Sequence, residues 1–257
     1  MKLDPHFIEK PWGRADLPAI FGSKCDRRIG EIWFGAAGRL PLLAKYLFTS
    51  ERLSVQVHPD DAQARDHGLA RGKAECWYIV DAQPGATIGL GLGQSLTRDQ
   101  LRGAALNGSI VNAMHWRPVS AGDFFYVPPG TIHAIGGGIS LLEFQQNSDI
   151  TYRLYDYGRP RELHLDEAVA AATLADYPEH LFQRVRESDE RVLVDGPQFT
   201  FIHCHSDALQ DRRRWILPLE GTVRCDGDSA SAGECLLVEA GEQIEIDGAR
   251  LFIGAAA

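Results

Sequence analysis

The segment L-S-V-Q-V-H-P-D-D at residues 53–61 carries the densest chemical signal in the chain. In an extended strand successive side chains point to opposite faces, so Ser54, Gln56 and His58 share one face and Val55 and Val57 the other. Two further pieces follow: Lys73 and Glu75 in G-K-A-E-C-W-Y-I-V, and His133 in Y-V-P-P-G-T-I-H-A-I-G. Gln56, His58, Glu75 and His133 together offer two imidazoles, one carboxylate and one amide oxygen, a first shell for a divalent transition metal. Zn2+ fits this mixed nitrogen and oxygen set best, with manganese, iron and cobalt as open alternatives. One carboxylate leaves the ion net positive, as a Lewis acid requires. A single histidine is more often structural; it is the four residues at alternating positions that point to a metal.

Basic residues carry a second signal. Lys73 shares the face of Glu75, and the run L-L-E-F-Q-Q-N-S-D-I-T-Y-R-L-Y-D-Y-G-R supplies Glu143, Asn147, Asp149 and Arg153. Glu143 and Arg153 are expected on adjacent strands joined by a turn at 147–149, both facing one cavity. There Lys73 and Arg153 would meet an anionic, oxygen-rich substrate; the plainer alternative is a surface ion pair. His203 and His205 also stand two apart but lack a companion carboxylate motif, and they read as structural. The G-L-G-L-G run at 89–93 lacks the Lys-Ser/Thr end and following helix of a phosphate loop.

Positioning these residues requires a mainly β chain. Strands are expected at 31–35, 53–58, 75–81, 87–92, 123–127, 140–145 and 151–157, then at 199–205, 215–220, 234–239, 243–246 and 251–254. Helices are few and short: Asp60 opens one to His67, Thr97 with Gln100 forms a capping box for one ending near Gly108, and Asp166 caps 167–174. The polar stretch 176–195 reads as a connection between residues 1–175, which carry the site, and a second β-unit at 196–257. A gapless alignment of 121–135 with 232–246 supports the division: both place a glycine and an acid before an apolar strand, then a second glycine. His133 in the first copy is matched by Ile244 in the second, so only the first unit keeps metal-type residues.

The 257 residues are 44% hydrophobic and 24% charged, as for a globular protein with a real core, and carry a formal net charge of −9. An acidic surface argues against nucleic-acid or anionic-membrane partners. No apolar run reaches membrane-spanning length. Cys25, Cys76, Cys204, Cys225 and Cys235 are odd in number and lack C-x-x-C spacing, so small buried thiols in a reducing, cytoplasmic setting are expected. The first residues show no apolar h-region of a signal peptide.

At K-P-W-G (10–13), G-E-I-W (30–33), residues 53–61, G-K-A-E-C-W-Y (72–78), V-P-P-G-T-I-H-A-I-G (127–136), L-L-E (141–143) and N-S-D-x-T-Y-R-L-Y-D-Y-G-R (147–159), the chain resembles the type I mannose-6-phosphate isomerases, especially the short bacterial form. The likeness covers about the first 165 residues. It implies a cupin-type jelly roll, with a degenerate second cupin-like unit, and zinc-dependent interconversion of mannose 6-phosphate and fructose 6-phosphate. It further implies Gln56, His58, Glu75 and His133 as ligands, Arg153 as the catalytic arginine, and Ser54, Lys73 and Glu143 as cleft residues. In an aldose–ketose isomerisation through a cis-enediol, Lys73 and Glu143 compete as proton carrier. Ile135 stands where some longer relatives place an aromatic residue, and there is no room for their helical insertion. Two rival readings stay open: another metal-dependent cupin enzyme, such as a different sugar isomerase or a dioxygenase, and a non-catalytic sugar-binding cupin.

Overall fold

The computed structural model describes residues 1–22, 26–35 and 40–257. Its strands form three antiparallel sheets. The first has seven strands in the order β1 (Pro5–Arg14), β2 (Ile29–Phe34), β3 (Leu42–Thr49), β10 (Ile139–Gln146), β5 (Glu75–Ala82), β8 (Asp123–Val127) and β12 (Phe182–Arg184). The second has five: β11 (Tyr152–Tyr155), β4 (Val55–Val57), β9 (His133–Ile135), β6 (Thr87–Leu92) and β7 (Met114–Pro118). The third runs β13 (Arg191–Asp195), β14 (Phe199–Cys204), β18 (Glu245–Ala256), β15 (Arg214–Cys225) and β16 (Asp228–Ser231), with β17 (Leu236–Val238) pairing β15 off this path. Four α-helices, α1 (Asp61–Asp66), α2 (Arg98–Asn107), α3 (Ile110–Ala113) and α4 (Leu165–Ala171), and two single 3-10 turns at Ala19–Phe21 and Glu179–Leu181 accompany the strands.

Side-chain alternation sorts these sheets into layers. On the seven-stranded sheet Ile32, Phe34, Ala44, Tyr46, Phe48, Tyr78, Leu142 and Phe144 point outward into a core shared with Phe199, Phe201, Trp215, Leu217 and Phe252 of the third sheet. Their neighbours Leu47, Trp77, Ile79, Phe125 and Leu141 point the other way, into a core shared with Ile88, Leu90 and Ile135 of the five-stranded sheet. Val55, Val57, Ala134, Tyr152 and Leu154 on the outer face of the five-stranded sheet pack under the helices, against Leu101, Ala105, Ala168 and Val169. The third sheet buries a separate set, including Ile202, Ile216, Val223 and Ile253, on its far side. The first two sheets thus face each other around an interior, the jelly-roll arrangement expected.

Several expectations need correction. Glu143 and Arg153 are not on adjacent strands: β10 pairs β3 and β5, whereas β11 pairs β4. The turn at 147–149 carries the chain across the interior from one sheet to the facing one. The stretch 176–195 is not bare connection, since β12 extends the first sheet and β13 edges the third. The strands expected at 243–246 and 251–254 form one long strand, β18. Capping boxes at Asp60–Gln63 and Thr97–Gln100 are present, and Gly108 ends α2 in the left-handed conformation. The last helix starts at Leu165, so Asp166 lies in its first turn instead of capping it.

The repeat has a backbone counterpart. Gly122 and Gly233 have φ of 91° and 86°, and Gly130 and Gly241 have 84° and 83°, so matched glycines take the same left-handed turns in both copies. Cys76, Cys204, Cys225 and Cys235 are free and buried; Cys25 lies outside the described residues. No described helix is long and apolar enough to cross a membrane.

Candidate functional site

The interior between the first two sheets holds the polar residues. Gln56 on β4 is the cross-strand partner of His133 on β9 and of Arg153 on β11, which puts all three on one inward face. Glu75 on β5 and Glu143 on β10 face them from the opposite sheet, with Gln145 paired to Glu75 and Lys45 paired to Glu143. His58 follows β4 directly, and Lys73 precedes β5. Both lie in segments fixed by α1: Gly72 N–H donates to Asp61 Oδ1 at 2.8 Å and Lys73 N–H to the Pro59 carbonyl at 3.1 Å.

His58, Glu75 and His133 are each at most 2% exposed. One ligand atom from each lies within 4.8 Å of the others, and among the described residues this is the only such group of three. Nδ1–H of His58 donates to the Ile150 carbonyl at 2.9 Å, and Nδ1–H of His133 to the Thr131 carbonyl at 2.9 Å. A carbonyl only accepts, so each Nδ1 bears the hydrogen and each Nε2 presents a lone pair inward. These two Nε2 atoms stand 3.5 and 3.4 Å from the oxygens of Glu75. Burial and the nearby Lys73 ammonium push His58 down to about 3, and burial likewise lowers His133, so both imidazoles are neutral. Burial alone would raise Glu75, but the adjacent Lys73 ammonium holds it well below the usual carboxylate range.

Lone pairs from two neutral imidazoles and a carboxylate therefore converge in a buried space. Such an arrangement is repulsive without a cation among them. The Lys73 ammonium supplies part of that charge, 3.2 Å from His58 Nε2 and 2.8 Å from Glu75 Oε2. The donor set suits a divalent transition metal, and backbone carbonyls orient both histidines as outer partners of metal ligands do. Gln56 fits less directly. Its Nε2 faces His133 Nε2 at 3.1 Å and its Oε1 accepts from Ser54 Oγ at 3.2 Å, so service as an oxygen ligand requires the amide to turn over.

The cluster opens on a cavity of about 290 Å3 lined by Ser54, Lys73, Glu143, Arg153 and further residues. Of the residues expected at the site, Ser54, Gln56, Lys73, Glu75, Glu143 and Arg153 line this cavity, and His58 and His133 adjoin it through Glu75. Sequence reasoning missed Glu31, Lys45 and Arg161, which also line it. Across the seven-stranded sheet the charges alternate. Glu75 meets Lys73 at 2.8 Å, Lys73 meets Glu143 at 3.4 Å, Glu143 meets Lys45 at 3.1 Å, and Lys10 meets Glu31 at 3.9 Å at the rim. Burial works against a charged Lys73, yet Glu75 and Glu143 raise it above its ordinary value. Burial and the adjacent Glu75 raise Glu143 in spite of its two lysines.

His203 donates from Nδ1 to the Asp189 carbonyl at 2.7 Å, and His205 lies beside Glu190 at 3.5 Å. Neither belongs to a metal-type group of three among the described residues.

No family model matches the chain. Curated proteins do. The mannose-6-phosphate isomerase of Streptococcus mutans is 42% identical over 168 residues, and the match takes in 62% of this chain. The chain spans about half the length of that relative, 53%. A probable mannose-6-phosphate isomerase, GmuF, of Bacillus subtilis is 35% identical over 214 residues, covering 67% of this chain and 68% of GmuF. Among solved structures, the mannose 6-phosphate isomerase of Bacillus subtilis superposes with a TM-score of 0.81 at 28% identity, covering 98% of each chain.

Proposed function

The chain belongs to the mannose-6-phosphate isomerase family, and on that premise we propose that it interconverts mannose 6-phosphate and fructose 6-phosphate through a cis-enediol at a zinc site. His58, Glu75 and His133 would hold one Zn2+, with Gln56 as the fourth ligand. The observation that carries the reading is the convergence of two Nε2 lone pairs and the Glu75 carboxylate on one buried point beside the cavity. When bound there, the ion supplies Lewis-acid charge that offsets negative charge developing on the sugar oxygens.

Moving a proton between C1 and C2 needs a group that can both take and return it. Glu143 is suited to this, because its raised proton affinity brings it nearer the working pH. Lys73 is held protonated by its two carboxylates, so it serves as a donor to sugar oxygens instead of as the base. Arg153, permanently charged, faces the same space beside Gln56 and stabilises the enediolate. Ser54 orients Gln56 through its hydroxyl. A cytoplasmic setting is part of the proposal and agrees with the four buried free thiols.

The test is a coupled assay with mannose 6-phosphate, with metal content followed through chelation and reloading. Activity is expected to track bound metal and return with Zn2+. Glu143→Gln is expected to keep the metal while C2 proton exchange falls roughly 10²–10⁴-fold. Activity surviving complete metal removal would sink the metal-centred part. A zinc-loaded chain that leaves mannose 6-phosphate unchanged would sink the substrate.

A further inference from the structure

Arg153 is carried by a strand that gives it little support. β11 is at the edge of the five-stranded sheet, next to β4. The register with β4 breaks just after Arg153, which pairs with Gln56, while Tyr155 pairs with Val55 and leaves Leu154 as an extra residue. A bulge of this kind takes one residue out of the ladder and re-aims the side chains beside it. The open side of Arg153 is held instead by one residue, His164. His164 N–H donates to the Arg153 carbonyl at 2.9 Å, and Arg153 N–H donates to His164 Nδ1 at 3.3 Å. Both main-chain groups of Arg153 are thus engaged away from β4, which makes Arg153 and Gln56 a non-hydrogen-bonded pair. Side chains of such pairs stand closer together than those of hydrogen-bonded ones.

His164 therefore stands in for a missing neighbour strand, with an imidazole nitrogen where a carbonyl would be. The acceptor role fixes its tautomer: Nδ1 presents the lone pair and Nε2 bears the hydrogen, the reverse of His58 and His133. His164 is itself anchored. It stands at the N-cap of α4 without a side-chain cap bond, and its carbonyl accepts from Ala168 N–H at 2.8 Å. The imidazole is left to serve Arg153. α4 buries Ala168, Val169 and Ala171 in the same core as Val55, Val57, Tyr152 and Leu154 of β4 and β11. The Tyr152 ring lies beside the imidazole at a centroid distance of 6.2 Å. The main chain of Arg153 is clamped between the strand that carries Gln56 and a packed helix.

We propose that His164 is a positioning residue for the isomerisation: its Nδ1 and N–H fix the backbone of Arg153, so that the guanidinium meets the developing enediolate in one geometry. This rests on the isomerase reading and deepens it by adding a residue that acts only through Arg153. His164 is not among the side chains that line the cavity. Misplacing a group at the reacting centre by about 1 Å costs on the order of 100-fold in rate, so a clamp on the main chain has leverage on the chemistry.

The test compares two amides in the metal-loaded chain. In His164→Asn the side-chain oxygen takes the place of Nδ1 and still accepts from Arg153 N–H; in His164→Gln it takes the place of Nε2 and leaves that N–H without an acceptor. His164→Gln is expected to lower kcat for mannose 6-phosphate about 10–100-fold, with KM within about threefold and metal content unchanged. His164→Asn is expected to restore most of the rate. In an Arg153→Ala background, His164→Gln is expected to change the residual rate by less than about twofold, because the two residues act as one unit. Exchange of the Arg153 amide proton, followed by NMR of the nitrogen-labelled chain, reads the bond without the reaction. Its protection is expected to drop about tenfold or more in His164→Gln and to persist in His164→Asn. A freely exchanging Arg153 amide in wild type overturns the proposal without any variant. A loss that His164→Asn shares in full, or one that is equal with and without Arg153, overturns it as well. A chain that protects the Arg153 amide through His164 but leaves mannose 6-phosphate unchanged would keep the clamp and reject the isomerase reading. An active isomerase whose kcat ignores His164→Gln would do the reverse.

Discussion

Glu31 lies at the rim of the cavity, 7% exposed, with Trp33 Nε1–H donating to its Oε2 at 2.5 Å and Lys10 at 3.9 Å from its Oε1. Burial would raise this carboxyl, but Lys45, Lys10 and the indole together hold it below the usual glutamate range. A folded-state value lower than the unfolded one gives stability that is complete above about pH 4.5 and is lost as pH falls through the folded value. Glu31→Gln is therefore expected to cost about 1–3 kcal/mol near pH 7, with the gap to wild type closing in acid. Urea unfolding midpoints measured across that range decide it; a gap that stays constant with pH would show that Glu31 is not held as an anion. At this scale the sequence was most legible where polar residues alternate on short strands, as at Ser54, Gln56 and His58. It was least legible at Lys45, a single charge inside the apolar run 42–49, and at Arg161. Arg161 is placed by the Asp156 carboxylate five residues earlier, which no periodicity marks.

The elements show why V-H-P-D-D does more than supply a histidine. Asp60 caps α1, and Asp61 accepts from Gly72 N–H at 2.8 Å and from Gln146 Nε2 at 2.9 Å. Gln146 in turn accepts from Ala74 N–H at 2.9 Å through its Oε1. One helix turn thus ties the approach to β5, where Lys73 and Glu75 lie, to the end of β10. Asp61→Ala leaves a backbone N–H and an amide without their acceptor, at an expected cost of about 1.5–3 kcal/mol. Because the released segment carries Glu75, zinc affinity is expected to fall roughly 10–100-fold, as when outer partners of ligands are lost. Competition with a zinc-binding dye measures this, and a variant that loses stability but binds zinc as wild type would sever α1 from the site. Two strands missed from the sequence have separate causes. β3 is buried along its whole length, one face in the cavity core and the other against the third sheet, so it shows no alternation of polar and apolar residues. β1 contains Pro11 and Gly13, and both Glu9 and Arg14 pair with Ile29, leaving the K-P-W-G segment as a bulge that no strand pattern reveals.

In the whole molecule, the third sheet backs the sheet that carries Glu75, Lys45 and Glu143. The contact is tightest at Gly254 on β18. A Cβ there would lie 2.3 Å from Cζ of Phe144, the residue between Glu143 and Gln145 on β10. Phe144 cannot swing aside, because its ring is enclosed by Phe199, Phe201 and Trp215 at centroid distances of 5.4, 4.9 and 6.0 Å. Gly254→Ala must therefore push β10 and β18 apart, an overpacking expected to cost about 1–3 kcal/mol. Relief of that strain runs through β10, whose inward side chains include Glu143, so the isomerase rate at saturating substrate is expected to fall although no residue of the cavity has changed. The paired control is Phe144→Leu in the Gly254→Ala background, which removes the clashing ring atoms and should recover part of the rate at the expense of a small cavity. Melting temperature and kcat measured on the two variants separate the cases. Lost stability with an unaltered rate, not improved by the second substitution, would mean that the third sheet only supports the fold and has no grip on the catalytic strand.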